Sequence, residues 1–204
     1  MDERPLSQTT NLSPMTESLS LDPKRTAFVV IDLQAGILGM QVAPHSASDV
    51  LDRCVKLAEH CRKRGALVVL VNVSFGPGNV DRLKQPVDFQ MAADRPAGWD
   101  VLSPKLGDDP RDLRITKRQW GAFYGTSLDL HLRRRSIDTI VIGGISTNFG
   151  VEGTARDAFE RSYSVIFVED AMAGPTREAH EFAVKTIFPR IGRVRSTEQV
   201  IAAL

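Results

Sequence analysis

The stretch Ala27-Phe28-Val29-Val30-Ile31-Asp32 decides the fold. It is a short, unbroken apolar run dominated by β-branched residues, the composition of a strand buried on both faces of a parallel sheet. It ends in a carboxylate, which such a strand does not need for packing. Downstream, Ser48 or Asp49 is placed to cap a helix through Arg64, with Leu51, Cys54, Val55, Ala58 and Cys61 along one face and Gly65 as its stop. A second buried strand follows at Ala66 to Val73. The segment from Ser74 to about Pro110 is rich in Gly and Pro and long for a connector, and reads as a functional excursion over one edge of the sheet.

The rest of the chain repeats the strand-then-helix rhythm. Strands are expected at Leu113–Thr116, Ile137–Ile142, Tyr163–Val168 and Ile191–Val194, and helices at Thr126–Arg135, Asn148–Arg161, Pro175 to Ile187 and from Ser196 to the end. Six strands alternating with helices imply right-handed crossovers and a parallel sheet covered on both faces, an α/β three-layer sandwich. Residues 1–22, rich in Ser, Thr and Pro, read as a flexible tail, and residues 23–204 as one domain.

Composition removes several classes of function. The 204 residues carry 26 Lys+Arg against 25 Asp+Glu, too even a balance for a phosphate-backbone binder, so no nucleic-acid partner is expected. No apolar run approaches the ~18–20 residues that span a bilayer, so no membrane partner is expected, and with no signal segment the expectation is a cytoplasmic protein. The two cysteines, Cys54 and Cys61, fall on the apolar face of a helix and read as reduced core thiols. His45, His60, His131 and His180 show no ligand spacing, so neither a metal nor another cofactor is expected.

In an open parallel sheet, ligands bind beyond the carboxyl ends of the strands, where the strand order reverses. Asp32 closes one strand, Lys117 follows another, and Gly143-Gly-Ile-Ser-Thr-Asn-Phe-Gly150 joins a strand to a helix N-terminus. Singly, these are a loop-tying carboxylate, a solvated lysine and a tight turn. On neighbouring strand ends they would bring an acid, a base and a helix N-terminus into one cleft. Trp120, Phe123, Tyr124 and Asn148 are candidates for the substrate pocket, the aromatics serving equally well as core or subunit interface.

Four blocks carry a family resemblance: Val29-Val-Ile-Asp-Leu-Gln34, Lys117-Arg-Gln-Trp-Gly-Ala-Phe-Tyr-Gly-Thr126, Gly144-Ile-Ser-Thr-Asn-Phe-Gly-Val151 and Thr154-Ala-Arg-Asp-Ala158. In their order and spacing the chain resembles the isochorismatase-like (cysteine hydrolase) family over nearly all of residues 24–204. The resemblance implies a three-layer αβα fold on a six-stranded parallel sheet and a small-molecule substrate. It also implies a homo-oligomer, dimer or tetramer, whose partner subunit helps wall the pocket. It further implies an Asp-Lys-Cys triad, with Asp32 and Lys117 on the first two positions. By the same resemblance the Ile145-Ser146 peptide is cis, and the amides of Ser146 and Gly150 form an anion pocket.

The third triad position departs from the pattern. Gly150 stands where most members carry the nucleophilic cysteine, which closes the route through an acyl-enzyme. True isochorismatases resemble this chain in having Asp, Lys and Gly at the three positions, and hydrolyse a vinyl ether without a covalent intermediate, so Asp32 would be a general acid with Lys117 its electrostatic partner. Their Ala-His-Ile-Gly loop is Thr147-Asn148-Phe149-Gly150 here, closer to the amidase branch with its cysteine removed. Three readings stay open: acid catalysis by Asp32 on a compact carboxylate-bearing substrate, a pseudoenzyme that binds a ligand or serves assembly, and hydrolysis by a water that Asp32 activates as base.

Overall fold

A computed structural model of the protein describes residues 18–89 and 95–204. Six parallel strands form one sheet: β1 (Thr26–Ile31), β2 (Leu67–Val73), β3 (Leu113–Lys117), β4 (Thr139–Ile145), β5 (Ser164–Ala173) and β6 (Arg193–Arg195), in the order β3-β2-β1-β4-β5-β6. The helices are α1 (Ala35–Leu38), α2 (Ala47–Arg64), α3 (Leu128–Arg134), α4 (Glu152–Glu160), α5 (Arg177–Phe182), α6 (Phe188–Ile191) and α7 (Thr197–Ala203). Among the described residues no helix is long and apolar enough to cross a membrane.

Every residue of β1 is buried, and its side chains alternate between two cores. Phe28 and Val30 pack with Val50, Leu57 and Ala58 of α2 and Val200 of α7, while Val29 and Ile31 pack with Leu128 and Leu132 of α3 and Ala155 and Ala158 of α4. A strand with no solvent face can be apolar throughout, which is why the run at 27–31 shows no alternation.

Several boundaries differ from the sequence expectation for identifiable reasons. The cap of α2 is Ser46, whose hydroxyl accepts the Asp49 N–H at 3.1 Å, two residues before the expected start; Gly65 ends the helix at φ 81°. β5 runs ten residues instead of stopping at Val168. Between Ile142 and Gly144 of β4 the paired residue in β5 skips from Phe167 to Met172, so the charged pair Glu169-Asp170 that reads as a strand end is a bulge. Asp170 then accepts from the N–H of Thr197 at 2.7 Å and docks α7. The expected 148–161 helix opens with a single π turn, Thr147–Val151, and the expected 175–187 helix passes through a second at Ala183–Ile187.

The stretch expected as a tail splits in two: residues 1–17 lie outside the described residues, while Leu21 is buried and donates its N–H to Ala203 O at 3.0 Å. At Gly107 the excursion after β2 meets the edge strand β3, its carbonyl accepting from Arg114 at 3.1 Å. Its stretch around Trp99–Val101 folds over the turn after β1, where Ala35 and Gly36 donate to the carbonyls of Val101 and Trp99 at 2.9 and 2.8 Å.

The strand order reverses between β1 and β4, and the crevice where open parallel sheets take ligands therefore lies beyond Ile31 and Ile145. Here Gly144 is indispensable: its φ is 120°, and a Cβ on it would sit 2.1 Å from the carbonyl oxygen of Ile31. Gly144→Ala is therefore expected to lower stability by more than about 4 kcal/mol, the range of severe backbone clashes, or to prevent folding altogether. Urea unfolding checks this, and a loss below about 1 kcal/mol would refute the assigned role.

Candidate active site

Asp32 follows β1 with a left-handed backbone, φ 54°, held by its own N–H to Val71 O at 2.9 Å and its carbonyl to the Gln34 N–H at 2.8 Å. That turn aims the carboxylate across the end of β2 toward β3. Neighbouring strands are about 4.8 Å apart, so a side chain on β3 must cross roughly 10 Å to meet it. Lys117, the last residue of β3, is long enough: its Nζ lies 2.7 Å from Asp32 Oδ2 and donates also to Gln119 O at 3.0 Å. The ordinary fate of a lysine after a strand is solvent, yet this one is only 2% exposed.

The pair is electrostatically unbalanced. Burial pushes the Asp32 carboxyl up, Lys117 pulls it down by charge and hydrogen bonding, and burial wins, leaving it at about 6 against an ordinary 3.8. Oδ2 is committed to the lysine, while Oδ1 is buried with no hydrogen-bond partner among the described residues. Two of the three N–H groups of Lys117 are used, and one is left.

Gly150, in the π turn at the start of α4, covers this pair. A Cβ built on it would lie 3.1 Å from Asp32 Oδ2, 3.6 Å from Lys117 Nζ and 2.9 Å from Ile31 Cγ2. The third position thus faces the other two, packed so closely that even a methyl there would press on Ile31. The Ile145-Ser146 peptide is cis, as expected. The Ser146 carbonyl accepts from the N–H groups of Phe149 and Val151 at 3.2 and 3.1 Å, which gives the turn its wide pitch.

The pocket candidates separate. Trp120 and Phe149 pair at the rim with ring centroids 4.9 Å apart, and both are exposed. Tyr124 is exposed too, but Phe123 is not at the site. It is a core residue, packed on Tyr163 and covered by the Arg161 guanidinium. Asn148 lies beside Gly174 with its Oδ1 buried and unpartnered among the described residues. The thiols remain where the sequence put them, buried in α2, and burial drives both out of the nucleophilic range, Cys61 up to about 12.

Three residues with structural duties at this site escaped sequence reasoning as individuals. Gln34, fully buried, clamps β2 through Val73 N–H at 2.8 Å and Val73 O at 3.0 Å, and so fixes the turn that aims Asp32. Thr154 accepts the Ala122 N–H at 3.1 Å and donates to Gly150 O at 2.7 Å, joining the loop after Lys117 to the turn over Asp32. His180 holds that turn from behind, its Nδ1 2.9 Å from Thr147 Oγ1; burial and the nearby His45 push its pKa down to about 4. Gln34 and Thr154 fall inside the quoted sequence blocks, so the signal was present without its meaning. His180 carried none.

An isochorismatase domain model matches residues 26–199. YecD, an isochorismatase family protein of Escherichia coli O157:H7, is 49% identical over 91% of this chain and 100% of its own length. The solved structure of an isochorismatase family protein from Burkholderia thailandensis superposes with a TM-score of 0.88 at 41% identity, covering 92% of this chain and 99% of that one. The ureidoacrylate amidohydrolase RutB of Klebsiella pneumoniae is 30% identical, over 88% of each chain. The chain belongs to the isochorismatase family.

Removing the lysine tests the imbalance. In Lys117→Met the carboxyl loses its only counter-charge, so its pKa rises beyond about 6 and the ionised form is penalised further. The variant is expected to lose about 3 kcal/mol at pH 8, as when a buried pair is broken. Less is lost at pH 5, because a raised carboxyl pKa costs stability only above the unfolded value and protonation relieves it. Urea unfolding at the two pH values checks the sign.

Proposed function

We propose that the protein is a hydrolase of a small carboxylate-bearing molecule that works without a covalent intermediate, with Asp32 as acid/base and Lys117 as its electrostatic partner. The observation that carries this reading is the buried Asp32 carboxyl, raised to about 6 with Lys117 Nζ 2.7 Å from its Oδ2, facing a glycine where a nucleophile would stand. A substrate carboxylate bound beside the pair takes the third N–H of Lys117 and can rest on the amides of Ser146 and Gly150. Occupying the lysine weakens its pull on Asp32 and favours the protonated acid. Oδ1, without a hydrogen-bond partner among the described residues, is the oxygen that carries and delivers the proton.

For a vinyl ether, the step is transfer of that proton to the enol-ether carbon, leaving an oxocarbenium-like cation that water attacks. The hemiketal then splits into ketone and alcohol, and its surplus proton returns to Asp32. The rim pair Trp120–Phe149 suits a flat apolar body on the same substrate. RutB is named for ureidoacrylate, itself a small carboxylate, which supports the substrate class while leaving the bond cleaved to experiment.

Pyruvate release from isochorismate, run beside Asp32→Asn, tests the vinyl-ether chemistry, with a panel of ureido acids and amides as further substrates. Turnover on at least one compound should fall by about 10²–10⁴-fold in Asp32→Asn, the scale of general acid–base catalysis. Equal turnover in both proteins would refute the mechanism. The pH profile assigns the direction. An acid gives kcat/KM that is level below about pH 6 and falls tenfold per unit above it, whereas a base gives the mirror image.

The second reading, ligand binding without turnover, rests on Gly150 in a loop otherwise of the amidase kind. It predicts that Gly150→Cys becomes labelled by thiol-directed or nitrile probes. The γ2 methyl of Ile31, 2.9 Å from the new Cβ, must move for the thiol to fit. Gly150→Cys with Ile31→Ala removes that obstacle, and a folded double variant that refuses every probe would count against this reading.

A further inference from the structure

The opposite end of the sheet holds a cleft of about 220 Å³ at the amino-terminal ends of the strands, its floor formed by the chain from Gly65 to Val68 entering β2. It lies roughly 15 Å from Asp32, the length of about five strand residues. Four cations line it, Lys24, Arg62, Arg111 and Arg135, against one carboxylate, Asp112. They come from four places in the fold: the turn before β1, the end of α2, the loop before β3 and the end of α3.

Arg62 is the organised member. Its side chain is only 14% exposed, and Nε and Nη2 hold Asp112 at 3.2 and 2.6 Å while Nη2 also donates to Leu106 O at 2.7 Å. Its Nη1 has no partner among the described residues, so a fixed guanidinium keeps donors in reserve. Arg111 is held by Asp109 from outside the cleft. Lys24 and Arg135 have no carboxylate partner among the described residues; the Nη1 of Arg135 leans on His131. Counting Asp109 and Asp112 against the four cations leaves two positive charges unmatched in one concavity.

Helix dipoles account for a cation at each helix end, Arg62 on α2 and Arg135 on α3. They do not account for the convergence of two helix ends, a lysine before β1 and a loop arginine, which repel one another, in a chain whose net charge is only +1. We propose that this cleft is a second ligand site, separate from the Asp32 crevice, for a small multivalent anion, with Arg62 as its fixed fork and Lys24 and Arg135 closing on the ligand from the rim.

The test is calorimetric titration of the full-length protein with inorganic pyrophosphate at low ionic strength, with sodium chloride at matched ionic strength as control. One-to-one binding is expected, together with a rise in Tm that the chloride control does not reproduce. Lys24→Ala with Arg135→Ala changes two exposed side chains and leaves the core untouched. It should weaken binding by about a hundredfold, tenfold for each charged hydrogen-bonding partner lost. A response equal to that of chloride, or affinity unchanged in the double variant, overturns the proposal. An Asp32→Asn control that binds pyrophosphate like the parent separates this site from the crevice; loss of binding there would equally overturn it.

Discussion

An aspartate and a lysine, 85 residues apart in sequence, are forced together out of water at the carboxyl end of the sheet, and much of the surrounding structure exists to hold them there. Such a pair gains nothing from burial alone, since desolvation of two charges offsets most of their attraction. It persists because the frame gives it no alternative. The left-handed turn at Asp32 is fixed by bonds to β2 and by Gln34, and Lys117 is stretched over the end of β2. Thr154 ties the loop that follows Lys117 to the turn that covers Asp32. The outcome is a carboxyl raised to about 6 beside an ammonium, with the glycine of the π turn facing both.

That arrangement explains why glycine at position 150 reshapes the chemistry without dismantling the site. A thiol there would stand next to both charged groups, in reach of a base and under the influence of a helix start. With glycine no nucleophile stands there, and in the proposed chemistry the proton is moved by Asp32. Neither Cys54 nor Cys61 offers a substitute, since both lie in the apolar layer under α2.

Much of this was legible in the sequence, and the failures have physical causes. Unbroken β-branched runs such as 27–31 announce a doubly covered parallel sheet because no solvent face interrupts them. Asp32 and Lys117 stood out as charges at strand ends. The bulge in β5 was invisible because Glu169 and Asp170 look like the end of a strand, and only tertiary partners, Arg53 and the start of α7, reveal why they are tolerated. The π turns were invisible because one turn of a helix cannot distinguish a period of 3.6 from a wider one. Which of Trp120, Phe123 and Tyr124 joins the core was open in the sequence because aromatic residues after a strand carry no mark of which side of the sheet they will face; the structure buries Phe123. His180 was missed because its partner, Thr147, is 33 residues away and joined to it only by the fold.

The most direct measurement is titration of the Asp32 carboxyl by carbon-detected NMR in protein labelled at its aspartates, with Asp32→Asn to assign the signal. A midpoint near 6, well above the ordinary 3.8, is the predicted result. A midpoint at or below the ordinary value would show that Lys117 outweighs burial, and that Asp32 cannot supply the proton on which the proposed chemistry depends.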